Sequence, residues 1–431
     1  MPAPTCAGTG EGGAMKRVSR VLLPMLVLAL VGGPVWWAWP GTLGGWRSVA
    51  IVTGWLGYGL LFASLVTMLR EPWLARVLGG LGRMYAWHHH LGVLAYLVLL
   101  LHPVALAMEA LPESPAIAWA SVAPLQQGAA GWLGWAALLC LMIGLGVALS
   151  PRLAYGRWRA LHGLLALAVV VSPAHLVMLG LEQWLWWMPV LAIGVLFWRV
   201  LRADCGLAAL PHVVAQVAHP ARAVVEITLR PMARALAAHA GQFVLVAFHD
   251  GPHFQGCHEY HPFTLTAIEP DGSLRVGIKA LGDCTRHMQT LEAGVAARVQ
   301  GPFGDFGAAG SGRPALWIAG GIGIAPFMAL LRAGTVAAPV RLIYLYREAA
   351  DGAYHDELVT LADADPDVTL VAHASGDGAP DLAAILPEAD ALAGVECFLC
   401  GPPGLVDAAV ALLRARGAAD EHIHFERFEF R

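Results

Sequence analysis

Within the first 202 residues, six apolar segments at about 21–39, 49–69, 84–107, 130–150, 158–180 and 184–201 each approach the ~20 residues that a helix needs to cross a bilayer. The chain as a whole is 57% apolar and only 13% charged. A soluble globular chain is nearer a quarter charged, so an ordinary soluble enzyme and a disordered chain are both excluded. The average hides a split. Residues 1–202 carry 12 Lys+Arg against 5 Asp+Glu, whereas residues 203–431 carry 15 against 26. Of 16 Trp, 15 precede residue 200, and Trp collects at membrane interfaces. The first half therefore reads as membrane and the second as an acidic soluble unit, with no basic patch for nucleic acid.

Loop charges set an orientation. Lys16, Arg17, Arg20, Arg70, Arg76, Arg83, Arg152, Arg157, Arg159, Arg199 and Arg202 fall on one side of the six segments. The other side holds Arg47 with Glu109, Glu113 and Glu182. The positive-inside rule then puts the N-terminus and everything after 202 in the cytoplasm of a plasma- or inner-membrane protein. The first segment ends in WWAWP, not in a small-residue cleavage site, so it reads as a span and not a cleaved signal. Residues 1–20 form a tail, and Met15 is an alternative start.

Ionisable groups at membrane depth are rare and usually functional. The third segment carries His88, His89, His90 and His102, and the fifth carries His162 and His175. Fourteen residues separate His88 from His102, about 21 Å along a helix and nearly the same face. The third and fifth segments run in the same direction, so His88 can meet His162 on the inner side and His102 can meet His175 on the outer side. Two such pairs meet the requirement of two six-coordinate b-type haems. His89 and His90 are alternatives to His88. The 13-residue step from His162 to His175 leaves the rings roughly 140° apart on an ideal helix; a kink or a local change of winding at Pro173 is the expected remedy.

Residues 206–310 alternate apolar and polar in HVVAQVAH, AVVEITLR, GQFVLVAF and SLRVGIKAL, the pattern of a small antiparallel barrel. HPFTLT at 261–266 lies inside it, and IKALGDCTRHM at 278–288 turns into a helix whose first amides suit a pyrophosphate. Residues 314–431 alternate strand and helix, and GGIGIAP follows the first strand. That is a parallel sheet, with nucleotides expected at the strand carboxyl ends. Cys397 and Cys400 form a CxxC without a second such pair, so Cys400 reads as part of a CGPP loop and not as a zinc or dithiol site. No iron–sulfur spacing occurs.

HPFTLT, IKALGDCT, GGIGIAP, CGPP and the terminal FERFEF, standing behind six spans with paired histidines, resemble the NADPH oxidase/ferric reductase superfamily, most of all its short bacterial members. The resemblance implies a six-helix all-α membrane bundle (21–202) followed by a cytoplasmic ferredoxin-reductase-like unit. That unit would comprise an antiparallel FAD-binding barrel (206–310) and an α/β NAD(P)H-binding domain (314–431). It implies that His261, Pro262, Phe263 and Thr264 contact FAD, Thr264 near its reactive edge, that Gly282, Asp283 and Thr285 line its phosphates, and that Lys279 is a further cofactor-binding residue. Gly320, Gly321, Gly323 and Pro326 would admit the dinucleotide, with Cys400, Gly401 and Pro402 beside the nicotinamide. Phe428, or else Phe430, would cover the flavin. The implied activity is electron transfer from NAD(P)H through FAD and two haems to an acceptor outside. Dioxygen reduction to superoxide comes first and ferric-chelate reduction second, because the 103–129 loop has no Cys, His or Met-rich metal cluster. A membrane-tethered flavin reductase is the remaining alternative. No obligatory protein partner is evident. Arg347, after the second sheet strand, suits the 2′-phosphate of NADPH, while the adjacent Glu348 suits NADH, so both nucleotides are expected with NADPH modestly preferred.

Overall fold

The computed structural model describes the chain from residue 45 onward apart from residues 151–152, 154, 181–185, 308–311 and 428–431, together with residues 25, 29, 32, 33 and 36. It divides into two units, one running to Leu207 and the other from Ala208 to Arg431.

Among the described residues of the first unit, four helices are long and apolar enough to cross a membrane: Gly45–Val66 (α1), Leu81–Ala110 (α2), Ala129–Ala148 (α3) and Gly156–Met178. The last is interrupted, running as Tyr155–His162 (α4) and Leu164–Met178 (α5) with Gly163 between. Of the six expected spans, the first lies almost wholly outside the described residues. The sixth is a 13-residue helix, Trp187–Arg199 (α6), which passes into a π-helical turn over Val200–Asp204. These helices are apolar all round, as burial in lipid requires. Leu94, Leu97, Leu101 and Val104 of α2 stand exposed on its outer face. Small residues bring the helices close: a Cβ on Gly57 would overlap Leu99, and one on Gly144 would overlap Leu165. Glu71 anchors the inner end, accepting bonds from Arg202 Nε and Trp198 Nε1.

The second unit opens with a closed barrel in the order β1-β2-β5-β4-β3-β6. Its strands are Leu210–Ala221 (β1), Val224–Pro231 (β2), Phe243–Phe248 (β3), His261–Ile268 (β4), Leu274–Lys279 (β5) and Ala296–Phe303 (β6). Phe263 and Leu265 of β4 point into the barrel core with Val246, Val276 and Val299. By strand alternation Thr264 and Thr266 share the opposite face. The short helix Asp283–His287 (α7) follows β5. Next comes a parallel sheet in the order β11-β10-β7-β8-β9. It is built from Ala315–Gly320 (β7), Val340–Tyr346 (β8), Val368–Ala374 (β9), Glu396–Gly401 (β10) and Ile423–Arg427 (β11). The chain moves outward from β7 to β9 and then crosses back to β10, so the direction of winding reverses between β7 and β10. A crevice at the strand carboxyl ends is expected at such a switch.

Barrel and sheet are joined by a buried polar network. Arg332, at the end of helix Ala325–Arg332 (α8), donates to Glu226 of β2 at 2.8 Å, to the Thr266 carbonyl at 3.2 Å and to both carboxylate oxygens of Glu357 at 2.7 Å. Thr266 Oγ1 donates to the same Glu226 at 2.6 Å. The outer face of β4 that carries Thr264 is therefore the one turned toward α8.

Candidate active site

The membrane histidines form two sets. The rings of His88 and His162 lie with centroids 6.2 Å apart and planes at 72°, and His102 and His175 are electrostatic neighbours. His89 and His90 are exposed, whereas His88 is half-buried. Three of the four rings are held by main-chain carbonyls. His88 Nδ1 sits 2.8 Å from Ser64 Oγ and 3.1 Å from the Ser64 carbonyl. His102 Nδ1 donates to the Ala50 carbonyl at 2.7 Å, and His175 Nδ1 to the Ala130 carbonyl at 2.7 Å. His162 stacks on Trp158 at 4.8 Å; its Nδ1 makes no bond of standard geometry, and the Gly144 carbonyl is its neighbouring acceptor. When Nδ1 carries the proton toward a carbonyl, Nε2 is left as the ligand atom.

The neighbouring carbonyls repeat the fourteen-residue spacing of His88 and His102. Ala50 and Ser64 stand fourteen residues apart on α1, as do Ala130 and Gly144 on α3. Gly54 and Gly134, each one turn beyond the outer carbonyl, lie against the outer imidazoles: an added Cβ would come within 3.1 Å of His102 and of His175 respectively. The sequence holds this signal as A-x-x-x-G at 50–54 and 130–134, but it becomes legible only once the histidine partners are known.

Helix α5 runs unbroken through Pro173, and the break is at Gly163, immediately after His162. Ala166 N–H bonds back to the Gly163 carbonyl at 3.0 Å, a tighter three-residue turn. Pro173 has no N–H for the Val169 carbonyl, which instead faces the Tyr58 hydroxyl at 3.4 Å.

Cations gather near the His88–His162 pair. Arg199 acts electrostatically on both His88 and His162, and Arg70 and Arg159 act on Arg199. Arg70 Nε and Arg199 Nε are buried and make no hydrogen bond.

In the second unit the glycine turn after β7 and the CGPP loop after β10 meet at the switch point. A Cβ on Gly323 would collide with the Cys400 carbonyl, one on Gly320 with Leu405 and Pro402, and one on Gly401 would stand 3.2 Å from Gly320. Both loops are thus packed backbone to backbone, which only glycine permits. Pro326 starts α8 behind the turn. Lys279 leaves the end of β5 with Nζ 3.3 Å from where a Gly321 Cβ would be, so the barrel contributes a cation to the glycine turn. Thr264 is buried, while His261 and Pro262 are half-buried; burial holds the His261 imidazole below its ordinary pKa. The Thr285 hydroxyl accepts from the Leu281 and Gly282 amides at 2.9 Å, so it shapes the turn into α7. Asp283 is exposed and pairs with Arg286 at 2.8 Å. Arg347 is exposed beyond β8. Glu348 and Asp351 pair with Arg222 at 3.0 and 3.1 Å, so both carboxylates near Arg347 are engaged by another guanidinium. Phe428 and Phe430 lie outside the described residues.

One site residue escaped the sequence. Glu426 pairs in register with Cys400 on β11, and its Oε1 is 3.6 Å from where a Gly304 Cβ would be. Burial, with Asp305 nearby, pushes its carboxyl up to about 7. Burial and Glu426 together push the Cys400 thiol well above its ordinary value. Nothing in FERFEF marks Glu426, because its environment is made by β10 and the 304–305 turn.

Three family matches cover the chain in order. Residues 53–172 match the ferric reductase like transmembrane component. Residues 210–302 match an FAD-binding domain, and residues 317–411 match an oxidoreductase NAD-binding domain. Among curated proteins, the reductase component of propane 2-monooxygenase from Rhodococcus jostii is 30% identical over 41% of this chain and 53% of its own length. The ferredoxin reductase component of 3-ketosteroid-9-alpha-monooxygenase from Mycolicibacterium smegmatis is 35% identical over 32% of this chain and 40% of its own length. The chain thus spans about half the length of such relatives. Among solved structures, the Amycolatopsis cytochrome P450 reductase is 27% identical with a TM-score of 0.44, covering 51% of this chain and 69% of that one. With its ferric-reductase-like membrane component, FAD-binding barrel and NAD-binding domain in that order, the chain has the architecture of the ferric reductase/NADPH oxidase superfamily.

Proposed function

We propose that the protein is a transmembrane NAD(P)H oxidoreductase that takes electrons from cytoplasmic NAD(P)H through FAD and two b-type haems to an acceptor on the outer side. The observation that carries this reading is the His88–His162 pair. Two imidazoles on one metal, with metal–nitrogen bonds of about 2 Å, place their ring centroids about 6 Å apart, and the observed separation is 6.2 Å. Their surroundings fit a haem as well: the buried, unbonded Nε atoms of Arg70 and Arg199 are suitable partners for its carboxylates. His88 with His162 would hold an inner haem, and His102 with His175 an outer one. His261, Pro262, Phe263, Thr264, Gly282, Asp283 and Thr285 would hold FAD. Gly320, Gly321, Gly323, Pro326, Lys279 and Arg347 would hold the nucleotide, with Cys400, Gly401 and Pro402 at its nicotinamide end. Phe428 or Phe430 would lie over the flavin.

Bound FAD supplies the exchange between two-electron hydride chemistry and one-electron transfer, and haem supplies the one-electron carriers. The protein's own task is positioning. Backbone carbonyls fix the tautomers of His88, His102 and His175, the close-packed glycines open the nucleotide crevice, and the neutral thiol of Cys400 lines it without adding charge. His88 with His162, and His102 with His175, would each supply two imidazole ligands to a haem, which would then pass electrons to the acceptor without binding it. We favour dioxygen, giving superoxide, because the 103–129 loop offers no metal-ligand cluster; ferric chelate is the second choice. The test is to add NADPH to inside-out vesicles and assay superoxide and ferric-chelate reduction in the lumen. Lumenal superoxide supports the first choice, and lumenal ferrous chelate alone supports the second. Reduction confined to the NADPH side contradicts the transmembrane path and supports a tethered flavin reductase.

A further inference from the structure

Away from the nucleotide crevice, three ligand-type side chains from separate segments converge at one edge of the barrel. Cys257 lies in the loop between β3 and β4, His261 opens β4, and Cys284 stands in the first turn of α7. Cys257 Sγ is 3.6 Å from His261 Nε2. One ligand atom from each of the three lies within 4.8 Å of the other two, and all three residues are half-buried. In a tetrahedral zinc site, with metal–sulfur bonds of about 2.3 Å and metal–nitrogen bonds of about 2.0–2.1 Å, an S···N edge is about 3.6 Å. The Cys257–His261 distance already has this value.

The two cysteine-bearing segments are fixed against each other. Phe254, 2% exposed, stacks on His287 of α7 with centroids 5.1 Å apart. The Gly256 amide is held by Asp250 at 2.8 Å, and Cys257 and Cys284 both pack against the barrel core. The cluster is thus built by tertiary packing, without movement of the barrel strands. Cys257 is outside the residues proposed to hold flavin or nucleotide, whereas Cys284 lies between Asp283 and Thr285 in the turn proposed to hold FAD.

We propose that Cys257, His261 and Cys284 form a site for a thiophilic divalent cation of the zinc class, with three protein ligands and a fourth position open to water. Two thiolates and one neutral imidazole are a donor set that suits Zn2+ and disfavours the hard cations Mg2+ and Ca2+. Binding exchanges two thiol protons for one cation: two S–H bonds break, two sulfur–metal bonds form, and no electrons are transferred. His261 is shared with the proposed flavin site, so the test reads metal binding directly and does not depend on turnover.

The experiment is a Co2+ and Cd2+ titration of reduced, metal-free full-length protein in detergent, followed by thiolate-to-metal charge-transfer absorbance, with Zn2+ as competitor. One equivalent per chain is expected. Cys257→Ser and Cys284→Ser should each weaken binding at least 100-fold, while Cys205→Ser, outside the cluster, should leave it unchanged. In wild-type protein one equivalent of Zn2+ should protect Cys257 and Cys284 together from alkylation, a readout that does not require any variant to fold. Absence of charge-transfer absorbance, equal binding by the Cys257→Ser/Cys284→Ser double variant, or a Cys257–Cys284 disulfide that forms in place of metal binding would each overturn the proposal.

Discussion

Glu426→Gln converts the buried carboxyl beside Cys400 into a neutral isostere. In the folded protein this carboxyl titrates at about 7, against 4.5 when unperturbed, because burial and Asp305 disfavour its charged form. A carboxyl whose folded value is raised costs nothing below pH 4.5, where it is protonated in both states. The cost grows as pH rises from 4.5 to 7 and is constant above that. At ~1.36 kcal/mol per pH unit, the interval amounts to roughly 3 kcal/mol of lost stability at pH 8. Glu426→Gln should recover most of it, about 2–3 kcal/mol at pH 8, and almost none at pH 4.5. The assay is urea unfolding of the 206–431 fragment, expected to be soluble on its own, in the flavin-free state at pH 4.5, 6, 7 and 8. Working without flavin removes any linkage between ligand binding and stability. A stability difference that does not change with pH, or a variant less stable than wild type at pH 8, would refute the assignment of a neutral, buried acid beside Cys400.

Gly323→Ala drives a Cβ into the Cys400 carbonyl; it should cut nucleotide-driven dye reduction at least 10-fold and raise the Michaelis constant, as read in steady-state assays with NADPH. Arg332→Ala leaves Glu226 buried without its 2.8 Å partner, so the fragment should lose about 3 kcal/mol in denaturant unfolding, with Arg332→Lys losing less. Arg347→Ala should raise the Michaelis constant for NADPH several-fold and leave that for NADH nearly unchanged; an equal change for both would mean that Arg347 does not read the 2′-phosphate.

What the sequence displayed was local. The alternation in HVVAQVAH, AVVEITLR and SLRVGIKAL became β1, β2 and β5. The strand-turn-helix grammar around GGIGIAP and CGPP produced the five-stranded parallel sheet, because period and turn chemistry are written in neighbouring residues. The fourteen-residue spacing of His88 and His102 likewise depends only on helix geometry. What stayed hidden depends on contact between distant segments. Ala50, Ser64 and Ala130 act through main-chain carbonyls, which any residue has. The break at Gly163 is unmarked in the sequence, and so is the accommodation of Pro173 inside a helix, where the Val169 carbonyl that its missing N–H orphans faces the Tyr58 hydroxyl at 3.4 Å. Glu426 and the Cys257–Cys284 pairing arise from strand order and loop packing that no periodicity records. The pairing of Ala296–Phe303 with β1 and β3 that closes the barrel is likewise set by contact between distant segments.

The central claim is tested most directly by counting haem. Full-length protein purified in detergent should contain two b-type haems per chain by pyridine haemochrome assay, with a dithionite-reduced minus oxidised spectrum of six-coordinate iron. His102→Ala should retain about one haem, the inner one between His88 and His162. A haem-free wild-type protein that still oxidises NADPH, or a His102→Ala variant with its full haem content and unchanged spectrum, would contradict the account.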